Sequence, residues 1–164
     1  PKETEAATSL VNGGADILFQ NTDSSAVLQT AGKLGKRAFG WDSDMSKYDE
    51  KAHLASAVIN WGPYYVKAVG DALNGTWSTG AAWWGVKEGA IDIVSIAADV
   101  PADVKTKVDT VKAGLKDGSF VIWKGPIVGQ DGKEVLAKDA VADDKFLGGI
   151  KFYIKGVEGK VPGG

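Results

Sequence analysis

Residues 15–20 read ADILFQ, residues 21–25 NTDSS and residues 36–41 KRAFGW, and these three runs decide the fold. The first is apolar with one acid near its start, the pattern of a buried strand. The second supplies helix-starting side chains. Val27, Leu28, Ala31 and Leu34 then fall on one helical face, with Asp23 or a neighbouring Ser as N-cap. Gly32 and Gly35 close that helix, and the third run returns as a strand. Strand, helix and strand at this spacing predict a right-handed parallel crossover.

Working outward, Ala6, Ala7, Leu10 and Val11 recur at helical spacing and Gly13-Gly14 stops them. Pro1 stands at the first helical position with no capping residue before it. That start predicts a segment of a longer chain, with any export signal or lipid-anchor cysteine in the missing part. Downstream, residues 49–75 read as a long apolar helix, kinked or broken in two near Gly62-Pro63. Residues 76–96 read as extended structure with glycine interruptions. Residues 101–118 form an amphipathic helix with Val104, Val108, Val111 and Leu115 on one face. Two short strands joined around Asp131-Gly132 follow, and a last strand is predicted at IKFYI, residues 150–154. Alternating strands and helices place the chain in the α/β class with a mainly parallel sheet flanked by helices.

The composition excludes several functions. Cysteine is absent and histidine occurs once, at His53, so thiolate chemistry and a multi-histidine metal centre are ruled out. No cofactor motif is present, and neither GxGxxG nor GxxxxGK[ST] appears. A net charge of -2 without a basic stripe gives no reason to expect nucleic acid. No apolar run is long enough to cross a bilayer. Ser24, Ser25 and Ser43 lack a nucleophile-elbow context, so the residues carry no positive signal for an enzyme.

Ligands of open parallel sheets bind beyond the carboxyl ends of the strands. That rule selects Asn21, Thr22 and Asp23 after the first strand, and Trp41, Asp42 and Asp44 after the second. A tryptophan beside two carboxylates suits a stacking ring that donates hydrogen bonds. The plainer reading, in which Asp42 or Asp44 caps the next helix and Trp41 packs in the core, is the stronger on these residues alone. Most of the remaining tryptophans (Trp61, Trp77, Trp83, Trp84 and Trp123) read as packing residues. Lys87 precedes a strand, where a surface charge is the default, and His53 reads as a structural or exposed residue of a helix.

In order along the chain stand GADILFQNTDSS, FGWDSDMSKY, INWGPYYVKAV, WWGVKEGAIDIVSI and GPIVGQDGKEVL. Together they resemble the C-terminal half of the basic membrane protein family of solute-binding proteins, which serve ABC importers. The resemblance runs over essentially residues 1–164. It implies a type I periplasmic-binding fold, with two α/β lobes joined by hinge strands, of which this chain carries the C-terminal portion. It also implies an extracytoplasmic, often lipid-anchored protein that binds a purine base or nucleoside and delivers it to an ABC permease, with no metal and no catalysis. The family's ligand-binding acid falls on Asp42 or Asp44 and its pocket lysine near Lys87, with Trp41 or Trp61 in stacking contact. Trp41 stands where a small aliphatic residue is expected, which points towards a free base such as adenine. Alternatives are a sensory domain of the same fold, or a segment that self-associates without ligand.

Overall fold

The computed structural model describes residues 2–161 and divides into two compact units, one running to Asp117 and one beginning at Gly118. The expectation built on Pro1 lies outside the described residues. The first unit is built from helix α1 (Lys2–Asn12), strand β1 (Ile17–Leu18), helix α2 (Ala26–Lys33) and strand β2 (Arg37–Asp42). Strand β3 (His53–Ile59), helix α3 (Gly62–Leu73), strand β4 (Ile91–Val94) and helix α4 (Ala102–Asp117) complete it. The strands form one sheet in the order β1-β2-β3-β4; β1, β2 and β3 run parallel and β4 pairs antiparallel to β3. An α/β unit with a mainly parallel sheet flanked by helices is therefore present.

Local chemistry explains most element ends. Helix α1 stops at Gly14, whose φ of 101° is open to glycine. Its terminal carbonyls are satisfied by Gly14 N–H donating to Val11 O and Ala15 N–H donating to Leu10 O, a Schellman arrangement. Helix α2 begins after Ser25, but Ser24 does the capping: its hydroxyl accepts from Ala26 N–H at 3.3 Å and donates to Glu3 of α1. The core is small and one-sided. Ala7, Leu18, Leu28, Ala31, Ala38, Met45 and Ala52 are buried together where α1 and α2 meet the sheet. On the opposite face, Ile17 is 53% and Phe19 68% exposed, so the run expected to be a buried strand is buried on one face only.

The largest departure from expectation is residues 53–59. The alanine-rich run HLASAVI reads as helix, yet it is β3, one of the two inner strands of the sheet. Its small side chains serve close packing. Ser56 pairs with Gly40 of β2, and a Cβ at Gly40 would lie 2.3 Å from Ser56 Oγ and 2.8 Å from Met45 Cβ. Tertiary packing here overrides local propensity. Pro63 is accordingly neither a kink nor a break between helices, but stands in the first turn of α3 after a strand.

The second unit holds an antiparallel hairpin, β5 (Ile127–Val128) with β6 (Glu134–Leu136), turning at Gly132 with φ 83° as the sequence predicts. A short helix α5 (Asp144–Gly148) follows; the Asp143 carboxylate caps it by accepting from Phe146 N–H at 2.7 Å. The strand expected at residues 150–154 is reduced to a single bridge, Gly129 with Ile154.

Candidate functional site

Because β1, β2 and β3 are parallel, their carboxyl ends open on one edge, and the antiparallel β4 enters from that edge, with Ile59 opposite Ile91. Asn21, Thr22 and Asp23 follow β1, Trp41 and Asp42 end β2, Trp61 follows β3 and Lys87 precedes β4. The fold thus gathers seven of the eight predicted residues at one edge. Asp44 is the exception.

Two residues beyond β2, the chain folds back over the sheet. Ser43 N–H donates to Trp41 O at 2.8 Å across Asp42, whose φ is 67°. This is a γ-turn of the rare positive-φ kind, which strains any residue with a Cβ. After it, Met45 is buried against Gly40, with its N–H donating to Ser56 Oγ at 3.0 Å. Asp44 is carried along and its carboxylate is occupied: it accepts from Ser95 Oγ at 2.5 Å and from Ser46 N–H at 3.0 Å. The Ser95 hydroxyl first, then the Ser46 N–H, holds its pKa below the usual carboxylate range. Asp42 is half-buried at the strand end, and its carboxylate has no hydrogen-bond partner among the described residues.

Beside Asp44 lies a buried polar cluster. His53 Nε2 is 2.8 Å from Ser56 Oγ, and both residues are nearly inaccessible, at 2% and 0% exposure. Burial pushes the His53 pKa down, against the raising effect of Asp44. A serine and histidine at this distance are the beginnings of a nucleophile–base pair. Here the hydroxyl is fully buried and accepts from Met45 N–H, so the pair is structural, on a strand and not on the helix expected. Arg37 closes the cluster: its guanidinium donates to both Asp99 oxygens at 2.7 and 3.1 Å and to His53 O at 3.1 Å.

The other predicted residues vary in freedom. Asn21, Asp23 and Lys87 are exposed; Thr22 donates to Gln20 Oε1 at 2.9 Å, and buried Gln20 in turn donates to Phe39 O at 3.1 Å. Trp41 is half-buried. Trp61 is 56% exposed and stacks with Tyr65, ring centres 6.0 Å apart at 26°. It lines a cavity of about 370 Å3 with Ile59, Asn60, Tyr64, Trp84 and Ile91, closed in part by the edge-on contact of Tyr64 with Trp84 at 5.8 Å. That volume lies within the range of small-molecule pockets, roughly 300–1,000 Å3. Trp77 and Trp83 are 56% and 62% exposed, so the packing role expected for most tryptophans fails for them. Asn60 and Tyr64 lie within INWGPYYVKAV but were not singled out as site residues; their position just beyond an unrecognised strand is the signal that was missing.

Comparison with known proteins gives a consistent picture. The family described as ABC transporter substrate-binding protein PnrA-like matches residues 1–132. A purine-binding protein of Brucella abortus is 41% identical over 161 residues, covering 98% of this chain and 46% of its own length. A putative ABC transporter glucose-binding protein of Haloferax volcanii is 24% identical over 162 residues, covering 99% of this chain and 39% of its own. The chain therefore spans less than half the length of these curated relatives. Among solved structures, an ABC transporter solute-binding protein from Conexibacter woesei superposes with a TM-score of 0.55 at 23% identity, over 74% of this chain and 41% of the other. A transcriptional activator of the comK gene from Bacillus halodurans does so with a TM-score of 0.65 at 17% identity, over 71% and 42%. These two likenesses concern the fold alone.

Proposed function

The chain belongs to the PnrA-like family of ABC transporter substrate-binding proteins, and we propose that it forms one wall of a receptor for a purine base or nucleoside. The observation that carries this reading is the Asp42 carboxylate, half-buried at the carboxyl end of β2 in a positive-φ turn and without a hydrogen-bond partner among the described residues. A half-buried carboxylate at such an edge is suited to accept from the amino or imino N–H groups of a base, or from ribose hydroxyls. Trp41 and Trp61 offer ring faces, Lys87 a donor for a ring nitrogen or carbonyl oxygen, and Asn21, Thr22 and Asp23 the polar margin. The likeness to a purine-binding protein at 41% identity supports the ligand class.

In this reading the opposite wall belongs to a second lobe, and closure of the two buries the ligand before delivery to an ABC permease outside the cytoplasm. Affinity then comes largely from burial between the lobes and from preorganised polar contacts, with no bond made or broken. Calorimetry on the intact protein with adenine, adenosine, guanosine and glucose tests the proposal. Saturable heat with a purine supports it; silence with every purine and saturation by glucose overturns it.

A further inference from the structure

Asn60 occupies the one residue between the end of β3 and the N-cap of α3, and its side chain binds in both directions. Its Oδ1 accepts from Gly62 N–H at 3.1 Å, satisfying a donor at the start of α3, and its Nδ2 donates to Gly89 O at 3.2 Å. Its backbone N–H donates to Ala90 O at 2.8 Å. The segment thus held is a tight turn in its own right. Ala90 N–H donates to Gly85 O at 3.0 Å, Gly89 N–H to Val86 O at 3.1 Å, and the Glu88 carboxylate accepts from Gly85 N–H at 2.8 Å. Lys87 rides on that turn, and Trp61 begins the helix on the other side of Asn60.

We infer that Asn60 is the positioning residue of the site: one amide plane fixes the Lys87 turn against the Trp61 wall. The inference rests on the purine-binding reading above. The chemistry separates it from an ordinary helix cap. A cap needs only an acceptor, which Ser or Asp supplies equally well. The bond to Gly89 O needs an N–H donor on the same rigid group, which among short side chains only asparagine combines with the acceptor. Asn60 also lines the cavity shared by Trp61 and Trp84, so a tilt of its amide shifts the Trp61 ring at that cavity and the turn that carries Lys87 together.

The test is a double-mutant cycle on the intact protein, with Asn60→Ser, Lys87→Ala and both together, read by calorimetric titration with adenine. Asn60→Ser keeps a cap for Gly62 and lacks the donor to Gly89; it weakens adenine binding about tenfold, in the range of coupling between residues that act together. In the Lys87→Ala background the same change costs less than about twofold. Equal losses in both backgrounds, or no loss in either, overturn the positioning role. Asn60→Asp, with the same geometry and an added charge, provides a second variant and shows the same non-additivity. A parent protein that binds none of the purines sinks the purine reading together with this inference; a parent that binds with an additive cycle sinks this inference alone.

Discussion

The hydroxyl of Ser95 donates to the Asp44 carboxylate at 2.5 Å, joining the loop after β2 to the residue that follows β4. Two acids only two residues apart thereby differ: Asp44 pins the loop, and the Asp42 carboxylate has no hydrogen-bond partner among the described residues. On the purine-binding reading proposed above, Asp42→Asn weakens binding about 10- to 100-fold, the loss expected for a hydrogen bond to a charged acceptor. Asp44→Ala costs about 1 kcal/mol of stability, kept small by solvent exposure. It moves affinity by less than about threefold. Calorimetric titration and urea unfolding of the two variants separate the roles, and the reverse pattern would assign the site to Asp44.

Gly40 and Gly32 test the packing that shapes the loop. A Cβ at Gly40 meets Ser56 Oγ at 2.3 Å and Met45 Cβ at 2.8 Å; one at Gly32 meets Asp49 Oδ2 at 1.8 Å. Gly40→Ala costs about 1–3 kcal/mol by overpacking, even though a strand generally gains from the exchange. The denaturant midpoint reads this directly. An unchanged midpoint would mean that Met45 and Ser56 move aside freely.

The buried His53 makes stability depend on pH. Its folded pKa lies below its unfolded value of about 6.5, so the unfolded chain binds more protons in this window. Stability from this source is complete above about pH 6.5 and is lost as the pH falls from there through the folded value. Asp44, also lowered, adds a further loss only below its ordinary value of 3.8. His53→Gln flattens the upper slope and leaves the lower one, a difference visible in thermal melts at about pH 7.5, 6, 5 and 3. Identical slopes in both proteins would remove His53 from the account.

The two faces of the sheet predict unequal costs of truncation. Leu28, on the inner face of α2, is fully buried, and Leu28→Ala costs about 2–5 kcal/mol. Phe19 is 68% exposed and touches Phe39, ring centres 4.7 Å apart, so Phe19→Ala loses about 0.5–1.5 kcal/mol. Urea unfolding of both variants decides the matter. A larger cost for Phe19 would show the outer face to be covered in solution.

Much of this fold is written in local signals. α1 ends where Gly13-Gly14 says it must, β2 and α4 follow their patterns, and the β5–β6 hairpin turns at Gly132. Residues 53–59 escaped because packing between two strands and beneath Met45 demands Ala and Ser, which a local reading takes for helix. The edge that holds the candidate site was legible, since strand ends can be placed from the crossover. Which acid stays free was not, because it depends on a turn at Asp42 and on Ser95, fifty-one residues from Asp44. The role of Asn60 was hidden for the same reason: its partner Gly89 lies 29 residues away, just ahead of the neighbouring strand β4.

The γ-turn at Asp42 bears on how this chain can be engineered or can drift. Glycine adopts a φ of 67° without the penalty that a Cβ incurs, so Asp42→Gly gains roughly 1 kcal/mol of stability. It also deletes the free carboxylate. Selection for thermal tolerance alone would favour that exchange, and on the proposed reading selection for ligand binding would reverse it. The residue at this position therefore records which pressure a lineage has answered to.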